Sequence, residues 1–251
     1  MVKTVSGKNI ATLISEVHIY SRQMQDLDRH EAANCMKSTL QYLLNLWGKD
    51  KQNDTSKMTG LALTDEELRN FQENEKMQFA AFETLRGFLN TYLGNHLEQA
   101  NMALKYGVKY LDTFLLGSLF IVVDAYMKSL SLFAAYGQTR KRKYLRLGRA
   151  FRSRIKGWVR EKNPNVQHYI LLVDAELLAS KKKMSAVKKF EEGILLAARA
   201  GYQNDAALGN ERLGAFFKSM GQEEDARYRF DQASKYYENW GAHAKLVNPL
   251  K

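Results

Sequence analysis

Ala186, Phe190 and Gly193 recur with identical spacing, 40 residues later, as Ala226, Phe230 and Ala233. A small residue, a large apolar one four later and a small one three further on share one helix face. The small positions let a partner helix come close. Repetition at this period constrains the fold strongly, because each unit is a helix pair that buries its apolar face only by stacking on its neighbours. Ahead of the second copy, Leu213, Gly214 and Phe217 mark the preceding helix and Gly221 the turn. Ala100, Leu104 and Gly107 form a fainter third echo.

The order leucine, glycine, aromatic, glycine, alanine, aromatic, alanine matches the tetratricopeptide pattern, and the longer period implies longer helices. The rest of the chain agrees. Its only prolines are Pro164 and Pro249, too little punctuation for a many-stranded sandwich or barrel, and no segment alternates with period two. With 251 residues, 45% of them apolar, it can bury a sizeable core. The expected fold is all-α: a tetratricopeptide-like, right-handed array of antiparallel helix pairs, an α-solenoid of roughly nine or ten helices. Residues 1–60 would supply N-terminal helices and a polar loop, continuous with repeats over 61–251.

Ile10 to Trp47 reads as two helices, and the polar stretch Gly48 to Gly60 as a loop. Thr64 followed by Asp65, Glu66 and Glu67 marks a helix start with a capping box. Breaks are expected near Gly94, Gly107, Gly137, Pro164, Lys181 to Lys183, Gly201 and Gly221. The longest apolar run, Phe114 to Val123, is too short for a bilayer span of about 20 residues. It reads as a buried helix in which Asp124 and Lys128 are spaced as an ion pair.

The formal charge of +11 is concentrated in one place. Between residues 140 and 162 eleven Lys and Arg face a single acid, Glu161, leaving +10 there and +1 over all the rest. Tyr144, Gly148, Phe151, Ile155 and Trp158 form an apolar stripe, while Arg142, Arg146, Arg149, Arg152, Lys156 and Arg160 take other faces. This is the candidate partner-binding helix, suited to an acidic protein segment, with nucleic acid or an anionic surface as the alternative.

The stretch from Gly201 through Tyr202, Ala207, Leu208, Glu211, Gly214, Phe216, Ala226, Ala233 and Tyr237 to Trp240, Gly241, Ala242, Ala244 and Lys245 resembles the end of a known helical repeat region. That region follows the nucleotide-binding domain of large multidomain AAA/STAND-type predicted signalling ATPases, often combined with serine/threonine kinase-like, GAF and histidine kinase domains. Upstream, Pro164, Asn165, His168, Leu171, Leu172, Ala175 and Glu176, the Arg140 to Trp158 helix, and Gln41, Leu44, Asn45, Leu46, Gly48 and Gly60 fit the same family. Asn204 stands where that family usually has histidine, and Gly209 replaces a small alanine. The resemblance implies a protein-interaction module in signal transduction, a scaffold or sensor arm whose partner is an ATPase or kinase domain or an acidic peptide. The chain would be a separate repeat module or a fragment of a larger protein.

No catalytic apparatus is expected. The chain has no phosphate-binding glycine loop ending in Lys-Ser or Lys-Thr and no kinase loop. No two of His18, His30, His96, His168 and His243 lie within one helical turn, so neither a metal nor a cofactor is expected. The lone Cys35 excludes a disulfide framework and suits a reducing compartment. With no secretory signal at the start, the expected location is cytoplasmic. Glu211, in an otherwise apolar helix, reads as a buried acceptor holding a neighbouring helix, with a surface contact residue as the alternative. Tyr236, Tyr237, Trp240 and Phe230 read as core packing.

Overall fold

The computed structural model describes residues 2–49, 54–55, 57–115 and 119–247. Among these the chain is all-helical, without a strand. In order come α1 (Ile10–Asp26), α2 (His30–Trp47), α3 (Asp65–Asn74), α4 (Lys76–Tyr92), α5 (His96–Tyr106), the single turn α6 (Asp112–Leu115) and α7 (Leu119–Thr139). Then follow α8 (Arg142–Arg160), α9 (Gln167–Ala179), α10 (Ala186–Arg199), α11 (Gln203–Ser219), α12 (Glu223–Trp240) and the single turn α13 (Ala244–Val247). Short 3-10 turns occupy Val2–Val5 and Pro164–Val166. These thirteen helices exceed the nine or ten expected, partly because single turns such as α6 and α13 carry no periodicity.

Boundaries follow local chemistry. Asp28, at φ 53°, separates α1 from α2. The capping box at Thr64 is formed: its hydroxyl accepts from the Glu67 amide at 3.2 Å, and the Glu67 carboxylate accepts from the Thr64 amide at 2.8 Å. Two sequence expectations are corrected. Gly137 does not break a helix. It lies inside α7, where an added Cβ would sit 3.5 Å from Ser180, so a small residue serves packing, and the turn falls on Arg140 at φ 57°. Gly107 is likewise no packing position; it caps α5 at φ 71° with open space around it, so the third echo is only partial. Of the apolar run Phe114 to Val123, residues 116–118 lie outside the described residues. Val123 belongs to α7, whose Asp124 and Lys128 pair at 2.7 Å in the interior.

Consecutive helices fold back on one another as α1 on α2, α7 on α8, α9 on α10 and α11 on α12. Alternate helices α2 and α4, α5 and α7, and α7 and α9 also pack together. The repeat residues do what their sizes allow. A Cβ on Gly193 would lie 2.9 Å from Leu172, and one on Gly214 would lie 2.8 Å from the Phe230 ring. Ala186, Phe190, Ala226 and Ala233 are buried, and Phe230 is partly so. α7 is long and apolar enough by composition to cross a membrane, but 89% of its apolar window is buried inside the protein, as expected of a core helix.

One hydrophobic core runs from Val5 to Ala242, and the two ends of the described chain meet. Asn9 donates to the Asn239 carbonyl at 3.2 Å. The Tyr92 and Trp240 rings lie 5.0 Å apart, and Asn204 donates to the Tyr92 hydroxyl at 2.9 Å. The first helices therefore share one core with the last.

Replacing Gly214 by Val is expected to destabilise the protein by about 1–3 kcal/mol, because ring and backbone must shift to admit the side chain. Gly157 to Ala, with nothing within 4 Å of the new methyl, is expected to stabilise by about 0.5–1 kcal/mol. Urea unfolding checks both; equal effects would show that close approach at Gly214 is not limiting.

Candidate anion-docking helix

The α8 sequence places four apolar residues, Tyr144, Gly148, Phe151 and Ile155, in the interior. Gly148 is matched to its partner: a Cβ there would lie 2.7 Å from the Phe133 ring of α7. Opposite this buried stripe, Arg142, Arg146, Arg149, Lys156 and Arg160 are all exposed. Their steps of four, three, seven and four residues keep them within roughly 80° of arc at about 100° per residue. The resulting crest spans about 27 Å at a rise of about 1.5 Å per residue. Ser153, also exposed, fills its one uncharged position. None of the five cations forms an ion pair with an acidic side chain among the described residues.

Arg152 does not belong to this crest, a correction to the sequence reading. It sits at the seam with α9 and is ion-paired with Asp174. On the other flank Arg154 donates to the Asp112 carboxylate at 2.9 and 3.1 Å and to the Val108 carbonyl at 2.6 Å, with its guanidinium 5.3 Å from the Trp158 ring centre. The flanking arginines thus hold α8 in place, and the crest row between them stays open. No periodicity argument separates these roles, because the acids that decide them lie 22 and 42 residues away.

A second group of polar residues lies inside. Arg212 of α11 donates to both oxygens of Glu176 of α9, at 2.8 and 3.0 Å, and also meets His96 Nε2 at 3.0 Å. His96 Nδ1 lies 3.1 Å from the Ser131 hydroxyl, which is 3.1 Å from that of Thr91. Burial, then the charges of Arg212 and Lys245, holds the His96 imidazole well below its usual pKa, so it is neutral and accepts from Arg212. Burial opposes the charge of Arg212, but Glu176 more than offsets it. Glu211 accepts from the Tyr237 hydroxyl at 2.6 Å and from Lys245 at 2.9 Å, while Lys245 also donates to the Tyr92 carbonyl at 2.5 Å. Glu211 therefore joins α11 to α12 and α13. His168 Nε2 is buried 3.1 Å from Asp205 Oδ2, and burial raises the Asp205 pKa against the opposing effect of His168.

Along one side of α7, α9 and α11 runs an open cleft of about 260 Å³. Small residues Ala134, Gly137, Ala179 and Ala215 line it, with Arg140, Lys182 and the Glu176–Arg212 pair. Among the described residues no three His, Cys, Asp or Glu side chains are grouped to hold a metal ion. Cys35 is buried, and burial, then Glu75 and Glu31, pushes its thiol up to about 11, away from thiolate chemistry at neutral pH. Trp240 and Tyr237 are fully buried and Gly241 caps α12 at φ 88°.

Comparison of the chain with family models, curated proteins and solved structures finds no match.

The depressed pKa of His96 fixes the sign of a pH effect. The unfolded chain takes up a proton near pH 6.5 that the folded chain refuses, so the His96 contribution to stability falls as pH drops below that value. In His96→Gln this component is expected to vanish, flattening the pH 7 to pH 5 decline seen in denaturant titrations; an unchanged decline would assign it elsewhere.

Proposed function

We propose that the chain is a non-catalytic protein-interaction module, a tetratricopeptide-like right-handed array of antiparallel helix pairs that docks an acidic segment of a protein partner on the crest of α8. The observation that carries this reading is the row Arg142, Arg146, Arg149, Lys156 and Arg160, exposed and without acidic partners among the described residues. Leaving five cations in line without local compensation raises the potential along one edge and speeds encounter with an acidic ligand. The packed pairs α9–α10 and α11–α12, with the repeat residues at their contacts, support the array. The sequence resemblance supports placing such a module beside an ATPase or kinase in cytoplasmic signal transduction.

The crest carries no aromatic side chain on which a base could stack, and Tyr144 and Phe151 are buried beneath it. This favours an acidic protein over single-stranded nucleic acid.

The triple variant Arg146→Glu, Arg149→Glu and Arg160→Glu tests this. Its three sites are exposed, so the fold is expected to persist by circular dichroism. Wild type is expected to bind a fluorescent glutamate-rich peptide in a salt-dependent manner, and the variant at least ~30-fold more weakly, at about 1 kcal/mol per charge contact. Equal affinities would remove the crest from the function. Tighter wild-type binding to duplex DNA or RNA at the same salt would replace the acidic protein by nucleic acid.

A further inference from the structure

The turn after α7 and the turn after α9 are remote in sequence but meet in the fold. Arg140 donates from its guanidinium to the Ser180 carbonyl at 2.6 Å, across 40 residues, and covers the Tyr136 ring at 5.7 Å. This bond brings residues 140–143 beside residues 181–183, all seven of them lysine or arginine and all exposed. No acid occurs between residues 136 and 147 or between 177 and 190.

Complementing the negative ends of α7 and α9 needs one or two cations each. Seven exceed that need. Next to Lys183 stands Met184, whose side chain projects from the turn with 48% of its surface exposed. A flexible apolar tip flanked by lysines can enter the headgroup region while the ammonium groups remain with anionic lipids. The Tyr136 ring, which could have stacked on a base, lies under Arg140. These features favour a lipid surface over a nucleic acid.

We propose that this pole, formed by the α7–α8 and α9–α10 turns, is a contact surface for a membrane rich in anionic lipid. It is distinct from the α8 crest, with which it shares only Arg142, and it brings the module to a bilayer by one end.

The test is co-sedimentation with vesicles of phosphatidylcholine containing roughly 30 mol% phosphatidylserine, the class of lipid that attracts clustered lysines. Lys141→Glu with Lys181→Glu and Lys183→Glu changes both turns and leaves Lys182, at φ 54°, untouched. The wild type is expected to bind, and this variant at least ~30-fold more weakly, at roughly fivefold per lysine lost from such a surface. Met184→Ser is expected to weaken binding several-fold without changing net charge. The crest variant Arg146→Glu, Arg149→Glu and Arg160→Glu carries the same charge change and is expected to retain most vesicle binding. Equal losses in the two triple variants would show that net charge alone acts and would overturn the proposal. So would absence of wild-type binding, or binding to duplex DNA that exceeds binding to vesicles and is lost in the pole variant. The acidic-peptide assay on the crest reads a different surface, so either idea can fail without the other.

Discussion

The arrangement depends on two buried ion pairs, Lys245 with Glu211 and Arg212 with Glu176, each closed between different helices. Lys245 is 6% exposed, held by Glu211 and the Tyr92 carbonyl, and Glu211 is completed by Tyr237. Four helices, α4, α11, α12 and α13, must be in register for this set to close. Such groups add little net stability over apolar packing, but any arrangement that separates them strands a charge away from water. The same logic applies to Glu176, Arg212 and His96, which join α9, α11 and α5. Helices whose apolar faces alone could slide past one another are thereby fixed in one register.

That fixing is what makes the surface features specific. α8 is pinned on both flanks, by Arg152 to Asp174 and by Arg154 to Asp112, and by Phe133 lying on Gly148 beneath. Its outer row is thus presented on a rigid element, which spares a docking partner the entropy of ordering the helix. At one end, the Arg140 bond to Ser180 turns two unremarkable basic turns into one patch. In both cases arginines committed to internal partners set the geometry of the cations left free.

Much of this was legible from residues alone, and the reasons differ by feature. The Thr64 capping box, the Asp124 and Lys128 pair and the packing faces at Gly193 and Gly214 involve neighbours a turn apart or a pattern with helical period, so spacing reveals them. Glu211 could be singled out as an acid on an apolar helix, but its partners Tyr237 and Lys245 lie 26 and 34 residues away. Asp205 beside His168 left no such signal, nor did Arg212 beside Glu176. Gly137 misled because glycine serves equally at a turn and at a close crossing.

Sequence by itself determined the helical class, the small-large-small faces that pair the helices, and the concentration of charge in one segment. These follow from interactions within a few residues, where backbone geometry fixes which side chains are neighbours. Which cations of that segment are structural and which are free, that residues 181–183 join residues 140–143, and that the first helices close against the last were decided only in three dimensions. Each depends on a counter-charge or a surface supplied from far along the chain, and helical periodicity carries no information about what lies across a helix–helix contact.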